Sequence, residues 1–301
     1  MQNIPKYHHY LPSFYQSRWA VNDRRLRRFS KPRDKIVAKW VYPTQSGGED
    51  ELYSDPEAPP DKAQVLESDF MSPLDSLASQ ALKMIETGDA TINRHPKFRS
   101  AWSRFLMSLM MRMPDDIETL KGGLVEEWML AIPDLEEVYS TNREAGWPET
   151  FQEYLARSPN SFASWASSLI RTLIDHQNIG ELLNNMRWFT REVNGNAEFL
   201  ASDRPLITWF DFSEPDTYIF HPIGPKRVFV AVNNVETQRR IERQPAEEWV
   251  TNINKCVAGA AKKFVFATDD RQVEFVDQHF GSRPRTTLFQ YLLRHRRRAR
   301  G

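Results

Sequence analysis

Six polar side chains in apolar surroundings are the residues of this 301-residue chain whose chemistry could support catalysis. These candidate site residues are His8, His9, Asp203, Arg204, His221 and Asn254. A carboxylate and two imidazoles can bind a divalent ion, with water completing its coordination shell. The same groups can instead act as a general base and the partner that orients it. Both roles depend on distances, so the sequence leaves open whether a divalent metal is the cofactor.

Two of these histidines lie in the segment KYHHYLPSFYQSRWA, residues 6–20. Adjacent histidines, a proline and several aromatic side chains are an unusual grouping for a helix or for a solvated terminus. Because chain termini are seldom ordered unless they are tied down, this composition indicates an anchored segment. Its aromatic side chains would hold one histidine against the rest of the protein. The alternative is a purely structural plug, in which one histidine bonds to the backbone.

Other candidates follow segments with strand composition in the second half of the chain. Asp203 interrupts FLASDRPLI, His221 ends an apolar run before a proline, and Asn233 ends the next run. If these runs pair as an antiparallel meander, the three side chains gather along one edge of a sheet. Two structural alternatives remain open. Ser202 and Asp203 are good turn formers, and His221 can be a strand-end residue with a satisfied ring.

The elements that position these residues divide the chain into five stretches. We predict an N-terminal motif and strand over 1–45, a surface loop over 46–65, a helical region over 66–186, a small sheet with helices over 187–290, and a basic tail over 291–301. The fold class predicted from this order is α+β, mostly helical, with a small antiparallel sheet in the C-terminal half. We expect one compact globular unit.

One helix start carries a specific pattern. Ser72 is the predicted N-cap, Pro73 occupies the first helical position, and Asp75 follows the cap by three residues.

Composition excludes several classes of function. Forty basic and forty acidic residues give no formal net charge, which argues against a dedicated nucleic-acid coat protein. The single cysteine, Cys256, excludes a disulfide within the chain and a cysteine-based zinc site, and favours a reducing compartment. No apolar run of transmembrane length and no signal peptide is found, so we predict a cytoplasmic protein without a membrane partner. The sequence also lacks a zinc-peptidase helix, a nucleophile elbow and a Walker loop.

Two basic runs lie near the ends of the chain, RRLRR at 24–28 and RHRRRARG at 294–301. If they meet in space, they form a cationic face that binds nucleic acid or another polyanion in a salt-dependent way. The alternative is that the C-terminal run is simply solvated. The oligomeric state is not predicted by the sequence.

The chain resembles a large bacterial family known as domain of unknown function 4238. Its members typically open with a His-His-Tyr-x-Pro-x-Phe-Tyr motif, which matches residues 8–15, followed here by Trp19 and Ala20 in place of the usual Phe-Ala. A second motif, Phe-x-x-Ser-Asp-x-Pro, matches residues 199–205, with Arg204 where a member would usually have Asn.

The family's closing element, an asparagine on a helix before a strand, maps onto Asn254. The resemblance implies no activity. It does imply that His9, Asp203 and Asn254 belong to one site.

Two functional hypotheses follow. The first is a hydrolase of phosphodiester or nuclease type, in which His8 or His9 is a base or ligand and Asp203 a ligand or orienting carboxylate. Arg204 would contact phosphate, because a planar guanidinium matches its oxygens. The alternative is a non-catalytic binding or interaction module, in which the His, Asp and Asn side chains form a structural hydrogen-bond network.

Overall fold

The computed structural model describes residues 6–21, 23–54, 63–157, 161–208, 212, 214–283 and 286–291, without the side chains of 124–135, 155 and 161–167. Helix accounts for 51% of the residues and strand for 17%. The α-helices are α1 (Ser13–Gln16), α2 (Ser72–Glu86), α3 (Pro96–Leu109), α4 (Pro114–Asn142), α5 (Phe151–Arg157), α6 (Ser161–Ile174), α7 (Gln177–Asn185), α8 (Val235–Glu242), α9 (Ala246–Ala260) and α10 (Val273–His279). Further helical elements are short 3₁₀ turns at Ser17–Trp19, Pro32–Asp34, Pro43–Gln45 and Ala90–Arg94 and a π-helix at Leu66–Met71, and residues 288–291 are also helical.

Strands occur along the whole chain: β1 (Tyr7–His9), β2 (Leu26–Ser30), β3 (Val37–Val41), β4 (Gly48–Asp50), β5 (Arg187–Glu192), β6 (Ala201–Ser202), β7 (Ile207–Thr208), β8 (Tyr218–Gly224), β9 (Arg227–Val232) and β10 (Val265–Ala267). They form three antiparallel sheets in the part of the chain that the structure describes. The first pairs β1 with β4, the second has the order β3-β2-β10-β6, and the third has the order β5-β9-β8-β7.

The prediction of a single small sheet confined to the C-terminal half is therefore wrong. The second sheet joins the N-terminal hairpin β2–β3 to strands from the C-terminal half, with Val265 opposite both Phe29 and Ser202. The segment predicted as a surface loop supplies β4, which pairs with β1. Strand propensity is a local property, whereas the partner that satisfies a strand's backbone groups lies far along the sequence.

The predicted gathering of strand-end residues on one sheet edge is also wrong. Asp203 directly follows β6 of the second sheet, whereas His221 lies within β8 and Asn233 follows β9 of the third sheet. Residues Asp203–Leu206 separate β6 from β7. The apolar segment around FLASDRPLI therefore contributes to two sheets and not to one strand.

The opening segment is built into the core. Tyr10, Leu11, Tyr15 and Trp19 are all buried. The Trp19 indole donates to the carbonyl of Phe199 at 2.8 Å, and the Tyr15 hydroxyl donates to the carbonyl of Pro222 at 2.8 Å. These bonds satisfy the polar tips of two large apolar side chains and fix the N-terminal segment to the C-terminal half.

Helix α2 starts differently from the prediction. The π-helix Leu66–Met71 continues directly into it, so Ser72 lies inside a helical run and is not an N-cap. The Ser72 hydroxyl instead donates to Glu67 Oε1 at 3.2 Å. Leu66 and Met71 are both buried. Their packing stabilises helical structure before Ser72, so the helical run starts earlier than the capping pattern predicts.

None of the helices in the described ranges combines the length and apolarity that a bilayer crossing needs. The basic run at 294–301 lies outside the described residues.

Candidate functional site

His221 is a core side chain. Its ring stacks on Tyr15 with centroids 4.8 Å apart, and the rings of Trp102 and Phe105 lie at 5.8 and 6.0 Å. Neither ring nitrogen has a hydrogen-bond partner in the described part of the chain. Burial lowers the pKa of His221 to about 3, so the ring is neutral at physiological pH. In this position it packs as an aromatic side chain.

Asp203 caps a loop. Its carboxylate accepts hydrogen bonds from the backbone amides of Lys262 at 3.0 Å and Phe264 at 2.9 Å, and from that of Lys263. These amides lie between the end of α9 and β10. Burial raises the pKa of Asp203, and the amide donors lower it by a smaller amount. The carboxylate therefore holds the turn that places β10 between β2 and β6.

Arg204 is engaged at the start of α4. Its guanidinium contacts both oxygens of Asp116 at 3.1 and 2.9 Å and one oxygen of Asp115 at 2.7 Å. Asp116 is fully buried, and burial raises its pKa to about 6 although Arg204 opposes this. With two carboxylates already bound, the guanidinium ties the second sheet to the helical region.

Asn254 links α9 to two neighbouring segments. Its Oδ1 accepts from the amide of Leu200 at 2.8 Å, and its Nδ2 donates to the carbonyl of Glu198 at 2.8 Å and to Gln272 Oε1 at 3.0 Å. Both ends of the side-chain amide are thus satisfied within the fold, as buried amides require.

His8 faces the chain segment that follows β4. The side chain is fully buried, its Nδ1 accepts from the backbone amide of Tyr53 at 2.9 Å, and its ring stacks on the Tyr53 ring at 5.5 Å. The tyrosine hydroxyl in turn donates to the carbonyl of Arg112 at 3.1 Å.

Asp203, Asn254 and His221 thus have separate sets of partners. His9 is different from all of them. Its side chain is half-buried, and its Nε2 is buried without a hydrogen-bond partner among the residues that the structure describes. Burial lowers the pKa of His9, while Asp75 raises it and Arg112 lowers it in smaller measure. The ring is neutral at pH 7 and holds an unused nitrogen beside a carboxylate and a guanidinium.

Arg112 and Asp75 form the centre of this cluster. The two guanidinium nitrogens lie 2.8 and 3.2 Å from the two carboxylate oxygens of Asp75. The arginine side chain is 1% exposed, whereas that of Asp75 is 20% exposed and therefore contacts solvent. Burial raises the pKa of Asp75 although Arg112 opposes this. Asp75 lies on α2, and Arg112 on the short link between α3 and α4.

Glu67 completes the cluster from the π-helix. Burial raises the pKa of Glu67, Arg112 lowers it in smaller measure, and Asp75 raises it further. Glu67 is two turns before Asp75 in the helical run, and it is half-buried. Single-turn π segments within helices are often found at functional sites. Because a π turn shifts the face that the following residues present, it sets where Glu67 lies relative to Asp75.

The six sequence candidates include only one member of this cluster, and the sequence does contain a signal for a second. Arg112 is the only charge in the run FLMSLMMRM, residues 105–113. A charge in such a run must either reach solvent or meet a partner. The partners Asp75 and Glu67 have no comparable signal, because acidic residues in helices are usually solvated.

The described residues contain no group of three or more His, Cys, Asp or Glu side chains arranged to hold a metal ion. A groove of about 260 Å³ lies between the third sheet and helices α8 and α9. It is lined by Ile207, Tyr218, Phe220, Thr237, Arg240, Ile241, Gln244, Trp249, Asn252, Ile253 and Cys256, without a carboxylate or an imidazole.

The sequence model of the family described as protein of unknown function (DUF4238) matches residues 7–271. A search of curated proteins and of solved structures gives no match.

Proposed function

Because the chain belongs to the family of proteins of unknown function DUF4238, whose description assigns no activity, we propose a function from the cluster around His9. The proposed activity is hydrolysis of a phosphodiester by general acid–base catalysis. The observation that carries it is a neutral imidazole with an unused Nε2 beside the Asp75 carboxyl group, in a cluster where burial raises the pKa of both Asp75 and Glu67.

The two perturbed groups have complementary roles. A lowered pKa keeps His9 unprotonated and able to accept a proton, and a raised pKa lets Glu67 hold one to donate. An acid–base pair needs one group that is unprotonated and one that is protonated at the working pH, and opposite pKa shifts provide both. Arg112 does not reach solvent and is a positioning residue, since it fixes the Asp75 carboxylate beside His9.

In the proposed reaction, His9 Nε2 takes a proton from a water molecule as the water oxygen bonds to phosphorus. The phosphorus–oxygen bond to the leaving alcohol breaks, and Glu67 transfers its proton to the alcohol oxygen. One ester bond is lost and one water molecule is consumed, giving a phosphomonoester and an alcohol. The proton on His9 then returns to Glu67 through solvent, so the site is regenerated.

A phosphodiester is the substrate class favoured by the surroundings of His9. The carbonyl groups of Pro43 and Thr44 face its ring, and these residues directly follow the basic hairpin β2–β3. Arg28 of that hairpin also lies near Tyr7 of the histidine strand: burial raises the pKa of Tyr7, and the charge of Arg28 opposes this in smaller measure. Positive charge beside a cleft raises the local concentration of an anionic substrate.

A non-catalytic interaction module remains the second candidate. The observation that favours it is the internal bonding of Asp203, Arg204 and Asn254, which makes these side chains a structural network. On this alternative, the cluster around His9 is a further part of that network, and its loss lowers stability without removing an activity.

Assays with bis(p-nitrophenyl) phosphate, with and without chelator, separate the two candidates. We expect His9→Asn and Glu67→Gln each to reduce kcat by about 100-fold or more, the usual contribution of a general acid or base. Exposed residues provide the matched controls His95→Asn and Glu118→Gln, which should retain wild-type rates. All variants should remain folded by circular dichroism. Wild-type rates in folded His9→Asn, or no hydrolysis by the wild type with any divalent ion, would overturn the proposal.

A further inference from the structure

Positive charge is concentrated in one short hairpin of this neutral protein. Residues 23–42 contain eight basic and two acidic side chains, while the whole chain has no formal net charge. The basic residues are Arg24, Arg25, Arg27, Arg28, Lys31, Arg33, Lys35 and Lys39. Such a local excess is the electrostatic footprint of a surface that binds a polyanion.

Part of this charge is neutralised and part is free. Within the described residues, Arg25 pairs with Asp23, Arg27 with Asp270 at 2.6 Å, and Lys31 with Asp277 at 2.9 Å. The remaining members of the set have other environments. Arg28 lies over the Phe264 ring at 4.4 Å.

Four basic side chains are both exposed and without an ion pair in the described ranges, namely Arg24, Arg33, Lys35 and Lys39. They remain able to contact phosphate oxygens.

Two large aromatic side chains lie among these charges and face solvent. Trp40 is 38% exposed and Tyr42 is 45% exposed. Residues two apart in an extended segment point to the same side, so both rings lie on one face. Arg27, directly opposite Trp40 in the register, places its guanidinium 5.2 Å from the indole centroid. Aromatic rings on a basic surface are the elements on which bases of single-stranded nucleic acids stack.

The hairpin is continuous with the cluster around His9. Tyr42 directly precedes Pro43 and Thr44, whose carbonyls face the His9 ring. A strand of nucleic acid that lies along β3 would therefore reach His9 at its end. Strand β3 is also the outer strand of its sheet, so no other strand of the described residues covers this side.

We propose that the outer edge of the β2–β3 hairpin binds single-stranded nucleic acid. Bases stack on Trp40 and Tyr42 on one face of β3, and phosphates contact Lys35 and Lys39, of which Lys39 lies on the other face of the same edge strand. The inference rests on the proposed function in one respect, because it names the class of phosphodiester that the hairpin delivers to His9. Single strands are specified because a paired duplex does not offer base faces to a ring.

Fluorescence anisotropy with labelled 12-mers of deoxythymidine and of uridine, and with a 12-base-pair DNA duplex, tests this binding. We expect the double variant Trp40→Ala, Tyr42→Ala to lose at least about tenfold in affinity for a single strand, because two base-stacking contacts are removed. Trp147→Ala is the matched control, because Trp147 is 43% exposed. The two 12-mers show whether the hairpin prefers DNA or RNA.

The charges are tested by salt dependence. Lys35→Gln with Lys39→Gln should reduce the slope of log affinity against log salt by about 1–2, whereas exposed Lys83→Gln should leave it unchanged. Equal affinity of the hairpin variants and the wild type, or equal affinity for duplex and single strand, would overturn the inference. Dimerisation of the wild type that these variants abolish would assign β3 to a subunit contact and would also overturn it.

The design keeps the two proposals apart. The double variant Trp40→Ala, Tyr42→Ala keeps the charges of the hairpin and should hydrolyse bis(p-nitrophenyl) phosphate at the wild-type rate, and His9→Asn should bind oligonucleotides with wild-type affinity. Hydrolysis without hairpin-dependent binding would leave the proposed function standing and reject this inference. Hairpin-dependent binding without hydrolysis by the wild type would reject the proposed function and leave the binding surface standing.

Discussion

The guanidinium of Arg112 is sealed in the core, while the carboxylate of Asp75 with which it forms a two-contact pair still reaches solvent. The two partners therefore differ in what each loses when the other is removed. A buried charge without its partner is costly, whereas a carboxylate at an opening can be hydrated or take up a proton.

We expect Asp75→Ala to lower the free energy of unfolding by about 3–5 kcal/mol, the usual cost of leaving a buried charge unpaired. Arg112→Met should cost less, because methionine refills the site and Asp75 keeps access to water. Urea unfolding followed by circular dichroism measures both. An equal or larger loss in Arg112→Met would show that the pair does not have this asymmetry.

Asp203→Asn should destabilise the protein without changing its chemistry. Asparagine offers one acceptor oxygen to three backbone amides that now share a carboxylate, so we expect a loss of about 2–3 kcal/mol. The rate per folded molecule on bis(p-nitrophenyl) phosphate should equal that of the wild type. Exposed Asp69→Asn is the matched control for stability. An inactive Asp203→Asn variant with wild-type stability would contradict this prediction and would indicate a catalytic role for Asp203.

His221 should make the fold sensitive to acid. Its folded pKa of about 3 lies below the ordinary 6.5, so the unfolded chain binds more protons between these values. Its contribution is fully present above about pH 6.5 and is lost as pH falls toward 3. At about 1.4 kcal/mol per pKa unit, this loss approaches 5 kcal/mol.

His221→Phe keeps an aromatic ring in the stack and removes the titrating group. We expect this variant to lose less stability than the wild type between pH 7 and pH 4, measured by urea unfolding at each pH. The exposed His95→Phe should follow the wild-type curve. Parallel curves for the wild type and His221→Phe would show that His221 does not titrate as a buried group.

The rate of the proposed hydrolysis should peak on the acid side of neutrality. The active form needs His9 unprotonated, with a pKa below 6.5, and Glu67 protonated, with a pKa above 4.5. The rate should fall below the first pKa and above the second, as in a bell-shaped profile. Glu67→Gln, which cannot ionise, should lose the alkaline limb in whatever activity it retains. A wild-type rate that rises steadily to pH 9 would contradict this assignment.

Much of the local structure could be predicted from short-range sequence patterns. The aromatic composition of residues 6–20 indicated an anchored opening segment, and the helical region predicted over 66–186 contains α2 and α3. The strand predicted within residues 1–45 is also present, since β3 lies there. These features follow from short-range patterns, because a helix or strand forms along a few consecutive residues.

Which of these elements pack together could not be predicted, because it depends on contacts between distant segments. Asp203 and His9 both belong to motifs that predicted catalytic residues. In the structure, Asp203 accepts hydrogen bonds from the backbone amides of a loop, whereas His9 lies beside Asp75 and Arg112. Strand β2 likewise took a partner, β10, from the opposite end of the chain. The residue type alone determines the polarity of a side chain. Its partner, its burial and hence its pKa are set by segments that packing brings together from far along the chain.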